Sequence, residues 1–428
     1  MRIAVFTSEF PSVSQTFVLN QIVGLLEAGH EVHIYANRGC AGGPVHEDVK
    51  RYELLDRATW FNMPRNRIVR ALGSAWIICR LTLNGPHRGL RSARWLVGGR
   101  RMHAVQGTIH AARAFLRNQQ RFDVVYCHFG GTGMIALRLK KLVLITGRLV
   151  IVFHGFDITK FIERYGANVY AELLQEGDLF LPISETWKAR LLELGAAPNK
   201  VKVHRMGVDC AKFTFKPRSL RRGEAIRIIT VARLMKKKGI EYSIRAVARL
   251  VGKGYPIEYE IVGDGPLRQS LAAVIDETGC AYRIRLLGPR SHEEVTKLLE
   301  EAHLMLLTSV TDEEGDQEGI PVALMEAMAM GIPVVSTYHS GISELVADGV
   351  TGILVPERDV EAIAAAVENL TDNAQLWPEM ARAAREKIER EYNIKLLNKQ
   401  LVEILGEHNG GSISMRLPST ELGRSFSE

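Results

Sequence analysis

Short apolar runs alternate with amphipathic helical stretches along nearly the whole 428-residue chain, and this alternation restricts its fold more than any other feature. Six strand candidates precede a basic stretch near residues 211–223, and six more follow it. Strands that alternate with helices pair in parallel, so the pattern predicts an α/β protein. A chain of this length accommodates two domains of roughly 200 residues each. We therefore predict two doubly wound parallel-sheet units in series.

The predicted strands of the first unit are 2–7, 31–36, 123–127, 149–153, 179–183 and 202–204. Those of the second unit are 226–231, 258–262, 283–287, 304–307, 334–336 and 352–355. Ser184 is a predicted helix N-cap, and Ser291 with Glu294 a predicted capping box. We place the units at 1–215 and 216–390. A helix at 391–405 is expected to pack back on the first unit, and a flexible Gly- and Ser-containing tail at 406–428 follows. Because ligands bind at the carboxyl ends of parallel strands, a cleft between the units is the expected site.

Cysteine content and hydropathy limit the cellular compartments in which the protein is expected. The five cysteines form no CxxC pair, so neither a disulfide framework nor a zinc site is indicated, and a reducing compartment is expected. The N-terminus begins as a strand and lacks the apolar core of a signal peptide. No run of about 18 apolar residues occurs. These features predict a cytoplasmic protein.

The positive charge of the chain is concentrated in residues 57–122. These 66 residues contain 13 arginines and no Lys, Asp or Glu, whereas the formal net charge of the whole chain is only +7. Within 64–101 the arginines alternate with apolar residues, namely Trp76, Ile77, Ile78, Leu81, Trp95 and Leu96. A basic, Trp-bearing amphipathic segment suits an anionic membrane surface. Arginines that merely coat ordinary helices are an alternative. Nucleic-acid binding is another, but no binding module for it is recognisable.

Two glutamates, Glu318 and Glu326, lie eight residues apart. Glu318 stands in a loop, and Glu326 lies inside the predicted helix that follows this loop. Between them lie Gly319, Ile320 and Pro321. A helix start leaves backbone N–H groups free and suits an anion, and carboxylates accept hydrogen bonds from sugar hydroxyls. Taken alone, the spacing also fits a surface acid and a helix acid without function. The Gly and Pro of the loop and the small-residue helix after it favour the functional interpretation.

Two further segments place polar side chains directly after predicted strands. Residues 231–239 read Val-Ala-Arg-Leu-Met-Lys-Lys-Lys-Gly, and Arg and Lys side chains after a strand suit a diphosphate. A solvated basic turn is the alternative interpretation of this loop. His154 follows the strand at 149–153 in the sequence Phe-His-Gly-Phe-Asp. A lone histidine at such a place is more often structural, so a catalytic role needs further support.

These segments resemble the family 4 retaining glycosyltransferases, which have the GT-B fold of two Rossmann-like domains facing across a cleft. The stretch 318–326 resembles the EX7E motif of the family, and 231–239 resembles its VGRLxxKKG segment, with Ala replacing the usual Gly at 232. The resemblance implies that Glu318 faces the donor sugar and that Glu326 binds the ribose of the nucleotide. It also implies that Arg233 and Lys238 bind the donor diphosphate, with Lys237 as the alternative to Lys238. His154, in an HGxD loop, would orient the donor sugar.

Weaker features agree with this resemblance. Gly263, Asp264 and Gly265 resemble the GxGP loop that the family places near the nucleotide, and Arg290 stands where the family contacts the base. The first strand–helix turn lacks the usual glycines and offers Ser14 and Thr16 instead. The stretch 10–21 resembles in particular the glycosyltransferases of colanic acid and amylovoran biosynthesis. The likeness covers most of residues 1–400.

The resemblance implies retaining transfer of a hexose, with galactose favoured, from a UDP-sugar to a lipid-linked oligosaccharide in exopolysaccharide biosynthesis. The protein would act on the cytoplasmic face of the inner membrane, bound peripherally to its anionic surface. No DxD-type acidic cluster is evident, so no obligatory metal or cofactor is expected, and nucleic acid is not an expected partner. Two alternatives remain. A GT-B nucleotide-sugar epimerase would need no acceptor, and a non-catalytic component of a polysaccharide assembly machine would bind the donor without turnover.

Overall fold

The computed structural model describes residues 1–12, 15–39, 46–64, 66–97, 102–117, 119–221 and 223–407. It contains two six-stranded sheets in which all paired strands are parallel. The strands of the first sheet are β1 (Arg2–Glu9), β2 (Glu31–Arg38), β3 (Ala58–Trp60), β4 (Gln120–His128), β5 (Ile145–Phe153) and β6 (Leu179–Pro182). Those of the second are β7 (Ile226–Val231), β8 (Ile257–Val262), β9 (Ile284–Gly288), β10 (Leu304–Leu307), β11 (Val334–Thr337) and β12 (Ile353–Val355).

Both sheets have the strand order of a doubly wound dinucleotide-binding fold. The first runs β3-β2-β1-β4-β5-β6 and the second β12-β11-β10-β7-β8-β9, which is the same order read from the other edge. The order reverses between β1 and β4 in one sheet and between β7 and β10 in the other. Loops at the carboxyl ends of these strands form the crevice in which such folds bind ligands. The prediction of two doubly wound units is therefore confirmed.

Helices cover both faces of each sheet, which explains the continuous apolar runs of the central strands. Residues 149–153 of β5, for example, are completely buried. The helices before β7 are α1 (Thr16–Glu27), α2 (Glu47–Arg51), α3 (Arg67–Leu83), α4 (Pro86–Val97), α5 (Met102–Ala112), α6 (Gly130–Lys141), α7 (Lys160–Tyr165), α8 (Ala171–Glu176) and α9 (Glu185–Glu193). Those after it are α10 (Ile240–Gly252), α11 (Arg268–Glu277), α12 (His292–Glu301), α13 (Val322–Ala329), α14 (Ile342–Leu345), α15 (Val360–Asp372), α16 (Trp377–Glu391) and α17 (Ile394–Gly406).

Two helix starts have the caps that the sequence predicted. Ser184 Oγ accepts a hydrogen bond from the backbone N–H of Trp187 at the start of α9. Ser291 and Glu294 form a reciprocal capping box at the start of α12. Each cap satisfies backbone donors that a helix start leaves free.

The predicted strand at 202–204 is wrong, and β3 was not predicted. Residues 202–204 lie along the outer edge of β6, where the N–H groups of Lys202 and His204 donate to Phe180 and Pro182. Because β6 has only four residues, this pairing stays an isolated bridge next to Val201 and does not become a strand. The strand β3 pairs with β2 and has only three residues. Three residues are too few to show the residue pattern from which a strand is predicted.

The C-terminal helix α17 returns to the first sheet. Leu401, Ile404 and Leu405 belong to the same apolar cluster as β1, β4 and β5, and Asn398 Nδ2 donates to the carbonyl of Asn20 in α1. The helix spans Ile394–Gly406. Residues 408–428 of that predicted tail lie outside the described residues, and the domain bounds 1–215 and 216–390 stay predictions.

No helix in the described ranges is long and apolar enough to cross a membrane. The four described cysteines, Cys79, Cys127, Cys210 and Cys280, are all free thiols.

Candidate active site

The loop after β7 carries the predicted cations at the carboxyl edge of the second sheet. Arg233 is exposed there, and Lys236–Lys238 form a single 3-10 turn before α10. Gly239 ends this turn with a φ of 59°, and a Cβ at Gly239 would lie 1.9 Å from the carbonyl oxygen of Thr308. Only glycine permits both the left-handed backbone and this close approach. The basic loop is thereby held against the end of β10, across the point where the strand order reverses.

Each of the three lysines in this turn pairs with an acid of the loop that follows β10. The pairs are Lys236–Glu313 at 2.7 Å, Lys237–Asp316 at 3.1 Å and Lys238–Glu318 at 2.5 Å. Exposure decreases along the series, from 60% for the Lys236 side chain to 14% for that of Lys238. Ion pairs between solvent-exposed side chains contribute little free energy, because water screens their charges. The least exposed pair, Lys238–Glu318, is therefore the strongest candidate for function.

Lys238 keeps the buried Glu318 carboxylate ionised. Burial raises the pKa of Glu318, but the charges of Lys238 and Lys237 outweigh it and bring the pKa to about 2. The backbone N–H of Glu318 donates to His339 Nε2 at 2.9 Å. Both the charge and the backbone position of Glu318 are therefore fixed by neighbouring loops of the second domain.

The first domain presents a wall of rings around His154. His154 follows β5, and its ring stacks on that of His128 at the end of β4, with His128 Nδ1 and His154 Nε2 3.2 Å apart. The rings of Phe17 and Phe129 each lie 4.6 Å from the His154 ring. Burial, with a smaller contribution from His128, lowers the pKa of His154 well below its ordinary value. The imidazole of His154 is therefore neutral near pH 7, and what it offers a ligand is a hydrogen bond, not a charge.

Asp157 fixes the backbone of the His154 loop. Its Oδ1 accepts the N–H groups of His154 and Gly155, and its Oδ2 accepts the N–H of Gly130 at the start of α6, all at 3.0 Å. Burial raises the pKa of Asp157 to about 6, against the opposing effect of these hydrogen bonds. Asp157 thus ties the loop after β5 to the loop after β4, a positioning role distinct from contact with substrate.

The two domains touch at the predicted site. A Cβ added to Gly319 would lie 2.6 Å from the carbonyl oxygen of His154, and one added to Gly155 would lie 3.6 Å from the Gly319 nitrogen. An ion pair between Lys160, at the start of α7, and Glu314 also joins the acidic loop to the first domain. The acidic loop of the second domain therefore packs directly on the histidine loop of the first.

The second glutamate of the predicted pair lies on α13. Pro321 is the N-cap of this helix, which has no side-chain cap, so its first N–H groups are available to an anion. The Ile320 side chain is buried in the core, so this residue offers only its backbone to a ligand. Glu326 has no ion pair or hydrogen bond to its side chain within the described chain, and burial raises its pKa to about 7.

The weaker predictions are distributed around this site. A Cβ at Gly263 would lie 1.9 Å from the Ala232 carbonyl oxygen, and the Asp264 carbonyl accepts from Leu234 N, so the 263–265 loop packs on the arginine loop. Arg290 is exposed after β9, and within the described ranges no hydrogen bond or ion pair joins it to the other predicted site residues. Thr16 begins α1, next to Phe17 on the His154 wall. Ser14 lies outside the described residues.

Sequence reasoning missed three residues of this region. His128 ends β4 just as His154 follows β5, so its position at the sheet edge was the available signal. His339 and Glu344 lie in and after the loop that follows β11 and carry no such signal. The Glu344 carboxylate accepts the backbone N–H groups of Glu185 and Thr186 at the start of α9 and pairs with Arg205 at 3.3 Å. It thereby joins the two domains.

Two doubly wound domains that meet at a cluster of cations, a buried carboxylate and a histidine define a GT-B glycosyltransferase site. Residues 14–212 match the family model described as Glycosyltransferase Family 4, and residues 212–389 match the model described as Glycosyl transferases group 1.

Similar proteins agree with this class. The chain is 38% identical over 419 residues to the colanic acid biosynthesis glycosyltransferase WcaL of Salmonella typhimurium, covering 95% of this chain and 99% of that protein. It is 36% identical over 420 residues to the amylovoran biosynthesis glycosyltransferase AmsK of Erwinia amylovora, with the same coverage. The crystal structure of Anabaena HepE with UDP-glucose superposes with a TM-score of 0.69 at 17% identity, covering 95% of this chain and all of that one. The chain belongs to glycosyltransferase family 4, which confirms the predicted family, fold and enzyme class.

Proposed function

We propose that this glycosyltransferase moves a hexose, with galactose favoured, from a UDP-sugar to a lipid-linked oligosaccharide during exopolysaccharide biosynthesis, with retention of anomeric configuration. The observation that carries the proposal is the buried Lys238–Glu318 pair beside the contact of Gly319 with His154. Similarity to WcaL and AmsK supports the pathway, and the UDP-glucose complex of HepE supports the nucleotide.

In the proposed reaction Arg233 and Lys238 of the β7–α10 loop bind the donor diphosphate. Arg233 is exposed and has no ion pair among the described residues, so it can bind a phosphate without breaking an internal contact. Lys238 is shared between Glu318 and the departing diphosphate. Cations positioned beside a leaving group stabilise the transition state, because negative charge grows on the leaving group there. The diphosphate also takes the proton from the acceptor hydroxyl as the hydroxyl attacks the same face of the anomeric carbon.

The sugar and ribose are held by groups on opposite sides of the cleft. Glu318, ionised because of Lys238, accepts hydrogen bonds from sugar hydroxyls, and the neutral His154 meets the sugar from the first domain. Glu326 binds the ribose hydroxyls. Within the described residues no group of three or more His, Cys, Asp or Glu side chains is arranged to hold a metal ion. We propose that Arg233 and Lys238 carry out the neutralisation that a metal performs in other transferases.

We propose that the protein meets its acceptor at an anionic membrane surface and that α3 contacts this surface. One face of this helix exposes Ile68, Leu72, Trp76 and Leu83, with exposed fractions between 50% and 74%. Their spacing of about four residues, or seven, places them along one stripe of the helix. Arg80, from the acid-free segment 57–122, lies beside this stripe, with its guanidinium 5.4 Å from the Trp76 ring centroid. An apolar stripe bordered by positive charge is the pattern of a helix that lies in a membrane interface.

A thermal-shift comparison tests the donor. Bound ligand raises stability by RT ln(1 + [L]/Kd), so the preferred nucleotide sugar gives the largest increase in Tm. We expect UDP-galactose to exceed UDP-glucose and both to exceed GDP-mannose and ADP-glucose. A larger increase with a GDP- or ADP-sugar would contradict the UDP assignment. Incubation with the donor alone, followed by NMR of the sugar, separates transfer from epimerisation, because an epimerase converts the donor without an acceptor.

A further inference from the structure

The loop that carries Glu318 is a compact unit held together around Asp312. Asp312 Oδ1 accepts the N–H groups of Glu314 and Asp316 at 2.9 Å, and the Asp312 N–H donates to the Asp316 carbonyl at 3.1 Å. With these internal bonds the loop behaves as one piece. The position of Glu318 therefore depends on what holds the loop, namely its lysine pairs and the attachments at its two ends.

Both ends of this loop are attached to one pair of side chains, Glu357 and His339. At the first end, the Thr311 N–H donates to Glu357 Oε2 at 2.9 Å. At the other end, the Glu318 N–H donates to His339 Nε2 at 2.9 Å. The two acceptors are joined, because His339 Nδ1 lies 2.5 Å from Glu357 Oε1. Glu357 follows β12 and His339 follows β11, so three loops at the carboxyl edge of the sheet are connected.

The hydrogen bonds fix the tautomer of His339. Since Nε2 accepts from a backbone N–H, its lone pair faces Glu318, and the ring proton is on Nδ1, where it is donated to Glu357. The His339 side chain is 1% exposed, so its ring is shielded from water, whereas the Glu357 side chain is 23% exposed. Loss of the acceptor would leave the buried N–H of Glu318 without a partner, which is costly.

We propose that the Glu357–His339 pair is a positioning device that sets the place of Glu318 against Lys238 and the donor sugar. This inference rests on the proposed function, in which Glu318 faces that sugar. Neither residue touches the donor; both act through the backbone of Glu318. Displacement of a reacting geometry by about 1 Å lowers turnover by about 10²-fold. A device that anchors both ends of the loop keeps such displacement small.

Two substitutions at one position separate positioning from packing. In His339→Gln the amide oxygen reaches the place of Nε2 and keeps the bond to Glu318 while losing that to Glu357. In His339→Asn the amide reaches the place of Nδ1 and keeps the bond to Glu357 while losing that to Glu318. Tyr338→Phe is the matched control, because it removes an exposed hydrogen bond to Asp348 from the same loop.

Two readouts on the full-length protein are compared. Hydrogen–deuterium exchange of peptides covering 311–320 needs no substrate. Hydrolysis of UDP-galactose, in which water takes the hexosyl group and UDP is released, is followed over donor concentration and gives kcat and KM. We expect His339→Asn to exchange faster in 311–320 and to lower kcat by about 10²-fold with little change in KM. His339→Gln should stay within about fivefold of wild type, the cost of one hydrogen bond. Tyr338→Phe should change neither readout.

Exchange in His339→Asn equal to that of wild type would overturn the positioning role, and so would equal losses of kcat in the Asn and Gln variants. If a GDP- or ADP-sugar raises the Tm of the wild-type protein more than any UDP-sugar does, the proposed donor fails instead. The exchange comparison then decides the positioning role alone.

Discussion

The carbonyl oxygen of His154 faces the α carbon of Gly319 across the two domains, so closely that a Cβ at Gly319 would lie 2.6 Å from that oxygen. Gly319→Ala must therefore push the acidic loop away from the histidine loop. We expect kcat to fall by about 10²-fold, since small misplacements of reacting groups have effects of this size. The measurement is the rate of sugar transfer or UDP release at saturating donor.

Gly252→Ala is the control for this change, because it lies at the end of α10 in the same domain with nothing within 4 Å of its added Cβ. It should leave kcat unchanged. Equal activity of the Gly319 variant and wild type would show that the two loops do not need this contact.

Lys238 and Lys236 provide a matched pair of lysines in one 3-10 turn. Lys238→Ala removes the buried partner of Glu318 and a cation at the leaving group, and removal of one such group costs about 10²–10³ in kcat. Lys236→Ala removes an ion pair with Glu313 in which both side chains are more than half exposed, so activity should hardly change. Similar losses in both variants would mean that the turn acts only by its summed charge.

The sequence predicted eleven of the twelve strands but not how the loops meet, and the reason is physical. Strands and helix caps leave a local signal in the sequence. For this reason β7, β10 and the cap at Ser184 could be predicted from residue patterns. The Lys238–Glu318 pair joins residues 80 positions apart and follows from the strand order, which placed both loops at one crevice. His339 and Glu344 act through backbone N–H groups of other loops, and such contacts have no sequence pattern. The short β3 exists only because β2 pairs with it.

Glu326 should give the protein a specific dependence on pH. Burial raises its pKa from an ordinary 4.5 to about 7, so the folded state binds a proton that the unfolded state has lost between these values. Its contribution to stability is therefore full below pH 4.5, falls as pH rises towards 7, and levels off above that. Glu326→Gln removes this loss. We expect the Tm of the variant relative to wild type to increase from pH 5 to pH 8.

Donor binding separates this effect from a purely structural one. An ionised Glu326 accepts ribose hydroxyls, so Glu326→Gln should weaken UDP binding at pH 8 by about tenfold, the value of a hydrogen bond to a charged group. The exposed Glu379→Gln on α16 is the control for both measurements. Unchanged UDP affinity at pH 8 in the Glu326 variant would rule out its contact with the ribose.

The exposed stripe of α3 predicts binding to anionic vesicles. Leu72 and Trp76 are 68% and 50% exposed, and Arg80 lies 5.4 Å from the Trp76 ring centroid, which places charge beside the apolar face. Burying each large apolar side chain contributes about 2 kcal/mol, so the double change Leu72→Glu with Trp76→Glu should lower the partition coefficient by well over tenfold. The measurement is sedimentation with phosphatidylglycerol vesicles at low and high salt, with Tyr282→Glu, 71% exposed in the second domain, as control. Equal binding of both variants would contradict a membrane role for this face. Binding to neutral vesicles at the same level would contradict the anionic surface, because the arginines contribute only where the surface is anionic.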